Sequence, residues 1–344
     1  MNEVIKEDIR NIKHSGLDFR KFRNTTFLVT GASGLLAPYM IYVLLSLKMN
    51  IKVIAVCRDV AKTKKKLREF REYSGLHIIK KDIAKKINIK GKIDYILHAA
   101  SPASSQYYGL NPVDVIIPNV FGTNNLLLLA KEKKVKGFLF FSSGEACGSF
   151  LHKSSIKEND YGYLDPLDVR SCYGESKRIA ENMCACWFRQ YRVPVHIVRP
   201  EHIYGPGMDL INDKRVYSEF VSDIVNGRDI VLKSDGKAVR TFCYLSDATE
   251  GFFRVLLKGL PGQCYNVGNK KGRISIRGLA AKLTVLFPER GLKVVKVKRK
   301  RGITYLENKN KIRPSLSTSK IEGLGYKCRV DLEDGFKRTI RSYA

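Results

Sequence analysis

Acidic residues are scarce in this chain. Across 344 residues, 33 aspartates and glutamates face 62 lysines and arginines, a formal net charge of +29. The lysines concentrate between Lys62 and Lys92 and again, with arginines, between Lys293 and Lys311. Such a surface suits an anionic partner: a small substrate, an acidic membrane surface or a nucleic acid. Aromatic residues do not interleave with the lysines as a base-stacking groove requires, which argues against nucleic acid. No apolar run reaches membrane-spanning length; Pro38 to Leu47 comes nearest, is far too short and follows a glycine turn. Residues 1–24 are charged and mixed, unlike a secretory leader, so a cytoplasmic setting is expected and no membrane partner. No Cys-x-x-Cys occurs among the eight cysteines. Cys184-Ala-Cys186 has no histidine at ligand spacing, so buried free thiols are expected rather than a metal site. No internal repeat or low-complexity linker breaks the chain, and its length suggests one large domain with a smaller one.

What is present is an alternation of short apolar runs and helical stretches. Phe27-Leu28-Val29-Thr30, Lys52 to Val56, His77 to Ile79, Ile93 to Leu97, Phe138 to Phe141 and Val195 to Val198 read as buried strands. Helices are expected between them, at Asn119–Lys131 and from Tyr173 to about Gln190 among others. This pattern predicts an α/β fold: a doubly wound, Rossmann-type parallel sheet with a smaller C-terminal substrate-binding domain. Residues 1–24 form a lead-in, 25–200 the nucleotide-binding domain and 201–344 mainly the substrate domain, with the chain free to cross back.

Gly31-Ala32-Ser33-Gly34-Leu35-Leu36-Ala37 joins the first strand to a helix. Strand, glycine turn and helix is the setting in which backbone N–H groups meet a pyrophosphate. Gly31, Ser33, Gly34 and Leu35 are therefore expected at a dinucleotide. The second strand ends in Cys57-Arg58-Asp59, where an acidic residue favours NAD and a basic one accommodates NADP. Arg58 leaves both cofactors open. Asp82 and Ile83 after the third strand, and Ala99, Ala100 and Ser101 after the fourth, are further cofactor candidates. Tyr173 and Lys177, four apart on a helix, share a face. The ammonium is expected to lower the phenol's pKa toward that of a general base.

These segments resemble the extended short-chain dehydrogenase/reductases that modify nucleotide sugars, from about Thr26 to Arg341. Thr30-Gly31-x-x-Gly34-x-x-Ala37 is similar to their cofactor loop, and Ser143, Tyr173 and Lys177 to their catalytic trio. Arg199-Pro200-x-x-x-Tyr204-Gly205-Pro206, Arg240-x-x-x-Tyr244-x-x-Asp247 and Arg313-Pro314 resemble their substrate-side signatures. Within that family, His98-Ala99-Ala100-Ser101-Pro102-Ala103-Ser104 and Arg170-Ser171-Cys172-Tyr173-Gly174-Glu175-Ser176-Lys177 resemble UDP-glucuronate decarboxylases.

The resemblance implies oxidation at sugar C4 with NAD, or NADP because of Arg58, and a homodimer built by packing two helices per subunit. It implies catalytic roles for Tyr173, Lys177, Ser143 and Glu145. Pro102, Arg170, His202, Arg240, Tyr244 and Arg313 are expected at the substrate, with Arg240 and Arg313 as diphosphate clamps. Dehydratases of the family carry an Asp-Glu pair where this chain has Gly144-Glu145. That places decarboxylation of a UDP-glucuronate-like substrate first, 4-epimerisation or 4,6-dehydration as alternatives, and a non-catalytic nucleotide-sugar-binding protein as another class. His202, Cys147 and Cys57-Arg58 depart from the family pattern.

Overall fold

The computed structural model describes residues 1–297 and 313–343. The C-terminal part of the second basic cluster, through Lys311, lies outside them. Seven strands form one parallel sheet: β1 (Thr26–Thr30), β2 (Lys52–Cys57), β3 (Leu76–Lys80), β4 (Tyr95–His98), β5 (Gly137–Phe141), β7 (Val195–Pro200) and β11 (Cys264–Val267), with β6 (Ser155–Ile156), β8 (His202–Tyr204), β9 (Ile230–Leu232) and β10 (Val239–Tyr244) between the last of them in sequence. The order is β11-β7-β5-β4-β1-β2-β3. The chain leaves β1 toward β2 on one side and β4 on the other, so a crevice opens at the carboxyl ends of β1 and β4, where such sheets take ligands.

Alternation along each strand sends side chains to two cores. Phe27 and Val29 of β1 face one core, shared with α1 (Glu3–Lys13) and α2 (Leu36–Ser46); Leu28 faces the other. The helices α3 (Val60–Lys66), α4 (Ser105–Leu110), α5 (Pro112–Lys133), α6 (Cys172–Tyr191), α7 (Val216–Val225) and α8 (Leu245–Lys258) follow in order. Leu126, Leu127 and Leu129 of α5 and Ala180 and Cys184 of α6 close the second face; Phe252, Phe253 and Val255 of α8 close the first. Both α8 and β11 come from beyond residue 200: β11 is an edge strand of the large sheet and α8 packs on its face.

A smaller layer holds the rest: α7 packs with α9 (Ile276–Val285) and α11 (Leu332–Arg341) around Tyr217, Phe220, Leu279 and Phe336. It carries a three-stranded sheet, β12-β10-β8, with β12 at Arg273–Ser275, and the pair of β13 (Val294–Lys296) with β9. Beyond them β14 (Ser315–Leu316) returns to pair with β6, followed by α10 (Ser319–Glu322).

Two expectations are corrected. α5 starts at Pro112, two turns before Asn119: proline is tolerated at a first helical position. The longer helix is apolar and long enough to cross a membrane by length and composition. In this fold one face is occupied: Val115, Gly122, Leu126 and Leu127 are buried, and the helix packs along α6. The cysteines are free thiols, but Cys186 is exposed while Cys184 is buried. Two residues apart on a helix point to nearly opposite sides. Among the described residues no group of three or more His, Cys, Asp or Glu side chains could hold a metal.

Candidate active site

The β1–α2 turn is drawn tightly against the end of β4. Gly31 has φ +79°, and a Cβ on it would meet Ala100 N and the Ala99 carbonyl at 2.9 Å. Only glycine fits there. Gly34 N–H donates to Gly31 O at 2.8 Å, and Ala100 N–H donates to Thr30 Oγ1 at 3.2 Å. The β1–α2 turn that holds Gly31, Ser33, Gly34 and Leu35 thus meets Ala99 and Ala100 at the end of β4. Ile83 is buried and packs where a Cβ on Gly122 would be, and Asp82 Oδ1 takes the Ala84 N–H at 3.0 Å. Arg58 is exposed at the end of β2.

Beyond the crevice stands Tyr173, in the first turn of α6. Its ring stacks on Tyr108 of α4, centroids 5.1 Å apart and 13° from parallel. Ser143, just past β5, hydrogen-bonds its phenol, and the buried Ser101 hydroxyl lies beside it with no other partner among the described residues. Lys177 is one turn on. Its Nζ lies 5.8 Å from the Tyr173 ring centre and donates to Phe141 O at 2.7 Å.

The expected fall in the Tyr173 pKa is not found. Burial pushes the phenol up to about 12, and the Ser143 hydrogen bond only partly offsets this. Burial also brings Lys177 down to about 7. The reason is physical: a buried ammonium turned onto a carbonyl is itself easily discharged and does little for a neighbour.

Glu145 sits in the short helical turn after Ser143, whose hydroxyl accepts its N–H at 3.2 Å. Its carboxylate is held by Arg313 at 2.5 Å and Arg170 at 3.5 Å. Burial would raise its pKa, but Arg313 and Arg170 more than reverse that and hold it at about 2. A small cleft opens here, lined by Glu145, Gly148, Ser149, Phe150, Leu164, Arg313 and Pro314. Arg313, expected on a diphosphate, is therefore engaged with the carboxylate. Arg170 also stacks over Tyr108, 4.8 Å from its centroid.

His202 of β8 lies against Tyr217 and Phe242. Burial, then Arg240 and Arg313, bring it down to about 3, so it is a neutral imidazole. Arg240 reaches the Val239 carbonyl at 2.8 Å. Pro102 is half-buried.

Tyr244 is a correction. Expected at the substrate, it is fully buried, and its hydroxyl donates to Asp8 of α1 at 2.7 Å. Its partner lies 236 residues away, which no local pattern reveals. Arg215 is the residue the sequence reading missed. It precedes α7, pairs with Asp213 at 2.6 Å, stacks 4.9 Å over Tyr217, and lies close enough to Tyr173, Tyr108 and His202 to bear on their protonation. An arginine before a helix next to an aspartate reads as a solvated cap; only the fold turns it inward.

The profile of the NAD dependent epimerase/dehydratase family matches residues 27–268. UDP-glucuronic acid decarboxylase 6 of Arabidopsis thaliana is 32% identical over 91% of this chain and 87% of its own length. A dTDP-D-glucose 4,6-dehydratase of Bos taurus is 29% identical over 92% and 88%. Among solved structures, DesIV, a dTDP-glucose 4,6-dehydratase of Streptomyces venezuelae with NAD and TYD bound, superposes with a TM-score of 0.77 at 25% identity, covering 93% of this chain and 97% of that one.

Proposed function

The chain belongs to the NAD-dependent epimerase/dehydratase family, and from that premise we propose that it modifies a nucleotide sugar by transient oxidation at C4, decarboxylating a UDP-glucuronate-like substrate. The observation that carries the finer reading is the charge of the cleft. Arg170 and Arg313 converge on Glu145, with Arg215 and Arg240 close to His202. Such a wall favours a substrate bearing a carboxylate in addition to its diphosphate, because guanidinium forks match both oxyanions.

The residues of the crevice fit a dinucleotide. Gly31 and Gly34 let its pyrophosphate approach the backbone, and the Ser101 hydroxyl lies beside the reacting phenol. When bound, that cofactor supplies a hydride acceptor, and afterwards a donor, at the sugar C4. Tyr173, in its ionised form, takes the proton of the C4 hydroxyl, and Ser143 holds the same oxygen as it becomes a ketone. Lys177 anchors this end of the site. A carboxyl group on C5 is then β to the ketone. It leaves as carbon dioxide, its bonding electrons moving toward the C4 oxygen, where the Tyr173 and Ser143 hydroxyls stabilise them until C5 takes up a proton from solvent and the C4 ketone is reduced again. Gly144 stands where an elimination would use an acid, so the carboxyl group is the group set to leave. Glu145, held ionised, acts as a fixed negative charge that orients Arg170 and Arg313.

The apolar outer residues Ile116, Phe121 and Leu128 of α5 and Ile179 of α6 are exposed, which supports a homodimer packed through these helices.

Purified protein incubated with UDP-glucuronate and followed by mass spectrometry is expected to release carbon dioxide and a UDP-pentose. Tyr173→Phe is expected to slow this at least about 100-fold. An unchanged mass with inversion at C4 by NMR establishes the epimerase instead; no conversion of any nucleotide sugar establishes a binding protein.

A further inference from the structure

The far end of the crevice differs from a site built for an unmodified ribose. An adenosine ribose with two free hydroxyls is ordinarily held by a carboxylate at the end of the second strand. Here that position is Cys57, a buried thiol directed at Ile79 O, 3.7 Å away. The carboxylates that follow β2 and β3 each have one oxygen engaged with the backbone. Asp59 Oδ1 takes the Lys62 N–H at 2.9 Å, and Asp82 Oδ1 the Ala84 N–H at 3.0 Å.

The charge around them is positive. Arg58 is exposed directly after Cys57. Lys80 is the strand partner of Cys57, and Lys81 N–H donates to Cys57 O at 3.0 Å. None of these three forms an ion pair among the described residues. Lys66 adds a cation from α3, its Nζ donating to Gly34 O of the glycine turn at 2.7 Å.

We propose that this corner is a phosphate site and that the chain takes the 2′-phosphorylated dinucleotide, NADP, with Arg58 as the ligand of the 2′-phosphate and Lys80 and Lys81 as its electrostatic surround. A guanidinium fork fits a phosphate's oxygens and has no acceptor for a ribose hydroxyl; a thiol contributes little to either. The inference rests on the dinucleotide reading above and deepens it.

The test is binding without sugar substrate, by calorimetry on the purified full chain stripped of nucleotide. NADP is expected to bind roughly 10- to 100-fold more tightly than NAD, the range of one charge-assisted pair, and 2′,5′-ADP to compete better than 5′-AMP. Arg58→Ala is expected to remove that preference by weakening NADP alone, with NAD affinity as the control that the site is intact. Equal or tighter binding of NAD, or an Arg58→Ala chain that keeps its NADP preference, overturns the phosphate site and leaves the enzyme reading standing. Binding of neither nucleotide overturns both.

Discussion

At the scale of single residues, Glu201 shows what burial does to a group near the site. Its Oε1 accepts the Leu316 N–H at 2.8 Å, and its carboxyl fills the space where a Cβ on Gly268 would sit. Burial raises it from the ordinary 4.5 to about 7, against the Leu316 and Asn269 backbone N–H groups. A group whose folded pKa is raised stabilises the fold below its unfolded pKa and loses that contribution as pH climbs through the folded value. Stability should therefore fall between about pH 4.5 and 7 on this account. Glu201→Gln keeps the acceptor and cannot ionise. Thermal melts should show it matching the parent at pH 5 and exceeding it at pH 8; a gap independent of pH would refute the assignment. Arg313 lies close enough to Glu201 to bear on its ionisation, so the same charge is felt beside the cleft.

At the scale of elements, α5 and α6 present one unpartnered apolar face. Phe121→Glu places a charge in the centre of the face on which a second copy is proposed to sit, and desolvating an unpaired charge is costly. Light scattering on a sizing column should show the parent as a dimer and the variant as a monomer; a monomeric parent would end the proposal. The same scale explains what the sequence disclosed. β1, β2, β5 and β7 were readable because strands buried on both faces are near-continuous apolar runs. β11 was not. Cys264-Tyr265-Asn266-Val267 is four residues long, and its Asn266 is buried only because it donates to Ile156 O and Ser317 O from distant loops. The site divided in the same way. Ser143, Glu145, Tyr173 and Lys177 have fixed spacings within two elements. The engagement of Arg313 with Glu145, across 168 residues, and the inward turn of Arg215 are products of tertiary packing.

At the scale of the whole molecule, Asp8 is a joint. From α1 it receives the hydroxyls of Tyr39 on α2 and Tyr244 at the end of β10, and the guanidinium of Arg338 on α11 at 2.7 Å. Burial raises its pKa against these partners. One carboxylate thus ties the lead-in helix, the cofactor layer and the C-terminal layer. Removing it leaves two buried phenols without their acceptor and Arg338 with Glu7 alone, so Asp8→Ala should cost about 3 kcal/mol in denaturant unfolding. A loss below about 1 kcal/mol, the scale of a surface pair, would show that the joint carries no load.

Asn2 Nδ2 donates to Ser342 O at 3.3 Å, so the two ends of the chain meet beside this joint. Their nearness makes the order in which the polypeptide is strung a matter of choice. A short peptide bridging residues 2 and 342, with the backbone cut at the exposed Gly227 turn, would yield a circular permutant with the same packing and new ends at the small layer, a place to attach a fluorophore without touching the clasp.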